Sequence, residues 1–387
     1  MDQPDFGRPC LLDPGLFPST LMTKKLIYLI LLALLIRLGL IYFQFSGDIR
    51  NHLVWGESVI NAGTFGFYGR HFSGFNDANY PPLTIFVFAI FRYLYQICNQ
   101  FIIWQNFNLK FLPSFLIPLF ASLNMQAAFM KIPAILADLG IGYLIFKLTK
   151  KKFFVFLYLF NPAVIYVSTV WGQIESLPIF FLLLSFFFLP KRYYLSHFAF
   201  VLAVLSKQTA LWLLPVYLVV WYQQGGAKTL LRGLTLQAIV FVLFYFPFTL
   251  SLNPFSLYLA TLAGSSTLVS DQALNFWYFL FSGRRIEDST LLLGISVRLW
   301  SLVLLAISGL SVCFWFWKKK MKAASALFWI SIIAFFWQTR VHERHLAPAI
   351  AFLLVTDYPK KWKILFYFLL SAYYMYNLFI SLRLPFI

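Results

Sequence analysis

Long apolar runs with almost no charge constrain this chain more than any other feature. The stretch 112–148 holds only Lys131, Asp138 and Lys147 as charged residues, and 153–170 and 323–338 hold none. Crossing a bilayer core as a helix takes about 20 mainly apolar residues. Inside lipid every backbone N–H and C=O must be paired within the protein, which leaves helices or closed barrels. Charged residues make up 11% of the 387, under half of the roughly 25% usual in soluble domains. The length alone would allow two or three soluble domains, but so little charge could not cover them. An all-α, polytopic transmembrane helical bundle with about 11–13 spans is the fold class expected.

The formal charge of +18 would suggest nucleic acid in a soluble protein. Here the basic runs at 147–152, 318–322 and 360–363 separate apolar segments, so we read them as cytoplasmic ends that set topology. They also favour anionic headgroups, and no nucleic-acid partner is expected. Cys10, Cys98 and Cys313 are too few and too scattered for a disulfide framework or a metal site. Residues 1–23 read as a cytoplasmic tail. Residues 24–387 read as one transmembrane domain, whose first span, near 26–45, is retained rather than cleaved.

Between the first two spans lies the only long polar stretch, 46–82. It is too polar for lipid and too long for a turn, so it is placed on the outer face as a functional loop. Leu53, Val54, Val59 and Ile60 recur at helical spacing, which predicts an amphipathic helix in its first half and a Gly-rich loop after it. Segment 194–223 has two short apolar arms broken by Ser206-Lys207-Gln208, as in a broken or re-entrant pair lining a cavity. On this topology eight of the 13 acids fall outside: Asp48, Glu57, Asp77, Glu175, Asp271, Glu287, Asp288 and Glu343. A site should therefore be on that side.

Five constellations stand out there. Asp48 lies just past the first span, where partial dehydration and nearby cations tune a carboxylate into a general base; Asp is also a good helix N-cap. Asn79-Tyr80-Pro81-Pro82 opens the second span, and the prolines by themselves fix a helix entry. Trp171, Gln173 and Glu175 join two spans at membrane depth, where polar groups need partners. Lys207, like Lys131, is costly in an apolar run unless it meets an anion such as phosphate, or snorkels, or is paired structurally. Arg340, His342, Glu343, Arg344 and His345 form the densest ionisable cluster. His342 and His345 are three apart, but a third convergent metal ligand is missing. Hydrogen bonding by Arg344 and His342 to an anionic or sugar group is the favoured reading. HExxH, GxSxG, Walker and DxD motifs are absent.

Taken in order, these pieces give the chain a resemblance to the integral-membrane GT-C glycosyltransferases, which use polyprenyl-phosphate-linked sugars as donors on the outer or lumenal face. The pieces are Asp48, NYPPL (79–83), MKIPAILADLGIGY (130–143), NPAVIYVSTVWGQIES (161–176), SKQTAL (206–211), the N-F-W of DQALNFW (271–277) and RVHERHLAPA (340–349). The resemblance runs over roughly 40–350. It departs at Glu175, where bacterial relatives usually show Asp, and the chain lacks the soluble C-terminal domain of oligosaccharyltransferases.

The resemblance implies a hexosyltransferase that moves mannose or glucose from a polyprenyl-phosphate donor to a glycan or lipid-linked acceptor. Asp48 would be its general base in a single inverting displacement. Lys207, Gln208, His342, Glu343, Arg344 and His345 would serve the donor, and Asn79, Tyr80, Trp171, Gln173, Glu175 and Asn275 the acceptor or sugar. Side chains would neutralise the phosphate leaving group, so no cofactor or metal is expected. The enzyme would sit in the plasma or inner membrane with its site facing outward. A transporter or lipid-linked-sugar flippase is the alternative. It would explain broken arms and a midplane lysine, but it predicts inverted repeats and acids deep in spans, where only Asp138 lies.

Overall fold

The computed structural model describes residues 24–251, 253–263 and 266–382. The expected tail over 1–23, Cys10 included, lies outside the described residues. The chain is mostly helical: α1 (Lys24–Leu40), α2 (Gly47–Ala62), α3 (Pro82–Asn108), α4 (Leu116–Ala121), α5 (Leu123–Thr149), α6 (Lys152–Leu159), α7 (Pro162–Ile165) and α8 (Ser176–Phe188). These are followed by α9 (Tyr193–Ser206), α10 (Leu214–Thr249), α11 (Phe255–Ala263), α12 (Phe276–Leu280), α13 (Val297–Trp317), α14 (Ala323–Trp337), α15 (Ala347–Val355) and α16 (Lys360–Leu382). A two-stranded antiparallel ribbon, β1 (Leu291–Leu292) with β2 (Ile295–Ser296), precedes α13.

Among the described residues five helical segments are long and apolar enough to cross a membrane, or six if the bent pair Lys152–Leu159 and Pro162–Trp171 counts as one span. The bend there is 50°, set where Asn161 caps α7 and Pro162 starts it. The other apolar segments read as spans form shorter helices: α1 has 17 residues, α8 13, α9 14, α14 15 and α15 9. Among the described residues the full-length spans thus number five or six, where the 11–13 expected counted the short arms as well. Hydropathy counts apolar residues without distinguishing lipid from protein as their surroundings. In α15, Ile350 to Leu354 are fully buried by protein. By contrast α1 exposes Leu31, Leu32 and Leu35, and α13 exposes Leu310 and Phe314. Exposed apolar surface of this kind is compatible with a lipid environment.

The break in 194–223 is present: α9 ends at Ser206, Lys207 is extended, and a 3₁₀ turn over Gln208–Leu213 leads into α10. Gly226, at φ +67°, interrupts α10, a conformation for which glycine carries no side-chain penalty. The polar loop folds as its pattern predicts. Its first half is α2, and only a 3₁₀ turn, Phe67–Gly69, follows. Ser46, not Asp48, caps α2 by accepting from Ile49 N, so the Asp48 carboxylate is left for tertiary partners. Gly56 lets α2 close onto α3, since a Cβ there would lie 2.7 Å from Phe88 O.

One buried polar knot ties the first half together. Asp138 on α5 accepts from Ser168 Oγ (2.6 Å), Ser176 Oγ (2.6 Å), Tyr158 Oη (3.1 Å) and Arg37 Nη2 (3.4 Å). Arg37 also donates to Leu159 O at 2.9 Å. Both charged residues are fully buried, and removing one member of a buried pair typically costs about 3–5 kcal/mol. Asp138→Ala should therefore lower the unfolding temperature in detergent, followed by tryptophan fluorescence. Arg37→Met/Asp138→Asn, which removes both charges, should lose less than Asp138→Ala.

Candidate functional site

Residues from five separate parts of the chain meet at one end of the bundle. The segment Tyr166–Trp171 is a π-helical turn, closed by Gly172 at φ +86°. A Cβ on Gly172 would lie 2.4 Å from the Ile49 side chain, so glycine allows α2 to dock against this turn. As a result Trp171 Nε1 donates to Asp48 Oδ2 at 3.1 Å, and Gln173 Nε2 donates to the same oxygen. Ser46 Oγ donates to Trp171 O at 3.0 Å. The start of α2 and the 171–175 turn are thereby one unit.

Glu175 is buried and pairs with Lys207 Nζ. Arg344 Nε lies 2.9 Å from the same Glu175 oxygen, an ion pair by distance whose N–H is not aimed along the contact. Arg344 Nη1 donates to Glu343 Oε1 at 2.9 Å, and its guanidinium lies over the Trp171 ring at 5.0 Å. Lys207 Nζ sits 5.4 Å from the Tyr80 ring, and Gln208 Nε2 donates to Asn79 O at 2.8 Å. Asn79, Tyr80, Lys207, Gln208, His342, Arg344 and His345 line a cavity of about 420 Å³, bounded also by Trp212 and Gln338. Asp48 is not in that lining; it is bonded to the Trp171 indole N–H, while Arg344 lies over the ring.

Burial holds all three site histidines neutral. It pushes His52 down from 6.5 to about 3 against the pull of Asp48. Burial, helped by Arg344 and Lys207, puts His342 and His345 well below the usual range. Lys207, Arg344, Arg298 and the Asp288-paired Arg340, not His342, therefore bring positive charge to the cavity. His342 Nε2 is 3.6 Å from Asp271 Oδ2, beyond hydrogen-bond length. His345 Nδ1 accepts from His342 N at 3.2 Å, which puts its proton on Nε2. That Nε2 has no hydrogen-bond partner among the described residues, and neither does Gln338 Oε1. Both residues line the cavity, ready for a ligand's polar groups. Burial also raises the Glu343 carboxyl, with Arg344 opposing.

Of the other residues singled out in the sequence, Asn275 and Lys131 lie outside the cavity lining, whereas Arg340 is part of it. Asn275 is fully buried and structural: it caps α12 by accepting from Tyr278 N and donates to Gln338 O. Lys131 donates to Ile41 O (2.8 Å) and Gln44 O (2.7 Å), so it closes the end of α1 instead of meeting phosphate. Arg340 makes a two-point bond to Asp288. His342 and His345 do not converge with acids or thiols on a metal site; among the described residues no such cluster occurs.

Two contributors escaped the sequence reading. His52, one helical turn after Asp48, stacks on Phe88 at 4.2 Å; its i+4 spacing from Asp48 was the available signal. Asn377, a lone amide in the apolar last helix, donates to Glu343 O at 3.1 Å and accepts from Leu274 N at 2.9 Å. The chain matches no protein family pattern, and a search of curated proteins returns no significant match.

Because the folded protein resists protonating these histidines, the unfolded chain binds more protons below about pH 6.5. Stability is fully present above that pH and falls as acid is added, by roughly 2 kcal/mol for His52 between pH 6.5 and 5. Unfolding temperatures measured from pH 7 to 5 should drop accordingly. His52→Phe, which keeps a ring against Phe88, should flatten part of that slope.

Proposed function

We propose that this chain is a membrane glycosyltransferase that takes a hexose from a polyprenyl-phosphate donor, with Asp48 as its base. The observation that carries the reading is the coupling across Trp171. A carboxylate oriented by two donors is bonded to the indole N–H of this residue, and the Arg344 guanidinium, which lines the cavity with Lys207, lies over its ring. Inverting transfer needs a base for the acceptor hydroxyl and positive charge for the departing phosphate, held apart but in register.

In this mechanism both described hydrogen bonds to Asp48 fall on Oδ2, leaving Oδ1 to take the acceptor's proton. The acceptor oxygen forms a bond to the anomeric carbon as the bond from that carbon to the phosphate oxygen breaks. The electron pair leaves with the phosphate. Lys207 and Arg344 balance the charge that develops there. Glu175 holds both cations in place. His345 Nε2–H and Gln338 Oε1 offer a donor and an acceptor to the sugar or phosphate. The α2 face and the 63–81 loop border the acceptor side.

Purified protein in proteoliposomes with a polyprenyl-phosphate hexose and a glycolipid acceptor tests this. Asp48→Asn should lower kcat by about 10²–10⁴ with the donor still bound. Lys207→Met should weaken donor binding and turnover together. Full transfer by folded Asp48→Asn would overturn the mechanism. Movement of the lipid-linked sugar across the bilayer with no transfer would favour a flippase.

A further inference from the structure

A second cavity, of about 480 Å³, lies at the opposite end of the bundle. The helix α14 runs from one to the other: Ala323 borders this cavity, and Gln338, just past the other end of α14, borders the first. The 15 residues of α14 put roughly 22 Å between them. Nothing in the transfer chemistry uses this second cavity.

Its walls combine charge, one unmet acceptor and apolar surface. Lys151, Lys322 and Lys363 line it with a single acid, Asp357. Asp357 is already engaged by Ser325 Oγ at 2.9 Å and Lys322 Nζ at 3.3 Å. Lys363 is buried and donates to Thr356 O and, at 3.4 Å, to Leu354 O, at the end of α15. Its Nζ and that of Lys151 lie over the same Phe154 ring, at 4.6 and 5.9 Å. Three ammonium groups thus face one carboxylate, an excess of positive charge in a pocket with low-dielectric walls. Gln224, two residues before the Gly226 break, presents an enclosed Oε1 with no hydrogen-bond partner among the described residues. Phe186, Leu189 and Val355 make the remaining wall apolar.

We infer that this cavity is a binding site for a phosphate ester that also carries a hydroxyl, of the kind found in a glycerol-phosphate headgroup. The lysines take the phosphate, Gln224 Oε1 accepts from the hydroxyl, and the apolar wall receives the first carbons attached to it. Basic pockets between helices hold anionic headgroups by this combination. The site is independent of the proposed sugar transfer.

Native mass spectrometry of the full chain in detergent, titrated with phosphatidylglycerol or phosphatidylcholine, tests it. Phosphatidylglycerol should be retained at roughly tenfold or more lower concentration. Lys151→Gln/Lys322→Gln changes only exposed side chains and should abolish that preference. Gln224→Glu, which sets a carboxylate against the phosphate, should do the same. Free glycerol phosphate should compete with the lipid where glycerol does not. If glycerol phosphate alone binds more tightly than the lipid, the same pocket serves a soluble ester. Equal retention of both lipids, or a preference that survives in folded variants, would overturn the assignment.

Discussion

Asp138 has no contact with solvent, yet it carries a carboxylate into the middle of an apolar bundle. Such a group persists only when its charge and lone pairs are met. The partners that meet it come from α1 (Arg37), α6 (Tyr158), the π-turn (Ser168) and the first residue of α8 (Ser176). Ser168 and Ser176 bracket the segment that holds Trp171, Gln173 and Glu175. Their bonds to one carboxylate set where that segment leaves and re-enters the bundle. Asp48, Lys207 and Arg344 are positioned against it in turn, so the geometry of the candidate site rests on a residue that does not line it.

The site distributes charge unevenly. Its three histidines are kept neutral by burial, and its cations are gathered on Glu175. Histidine contributes hydrogen bonds and ring surface, whereas lysine and arginine contribute charge. The π-turn adds the conformational element: Gly172 permits the close approach of Ile49, and the turn ahead of it ends in Trp171, whose indole meets both Asp48 and Arg344. π-turns are frequent at functional sites.

Much of the architecture was legible. Apolar runs gave the helices, the helical spacing of Leu53, Val54, Val59 and Ile60 marked α2, and Ser206-Lys207-Gln208 marked the break after α9. The clustering of Asp48, Trp171, Gln173, Glu175, Lys207 and Arg344 was legible as a set of polar residues stranded in apolar surroundings. Span count was not, because α8, α9, α14 and α15 are apolar for the sake of protein neighbours as much as lipid. Nor were the roles of Lys131, Asn275 and Arg340. Each satisfies a backbone carbonyl or a carboxylate remote in sequence, and residue type alone does not distinguish such a partner from a ligand.

The sequence by itself determined the solvent and the inventory. So few charges over so many apolar residues call for helices that suit lipid, and each ionisable group left in such a chain requires a partner. Tertiary structure alone decided which partner each one has. Arg37 with Asp138, Lys207 and Arg344 with Glu175, and Asp48 with Trp171 and Gln173 are pairings across 32 to 169 residues. Their energies depend on distance and burial, and neither quantity exists until the helices pack.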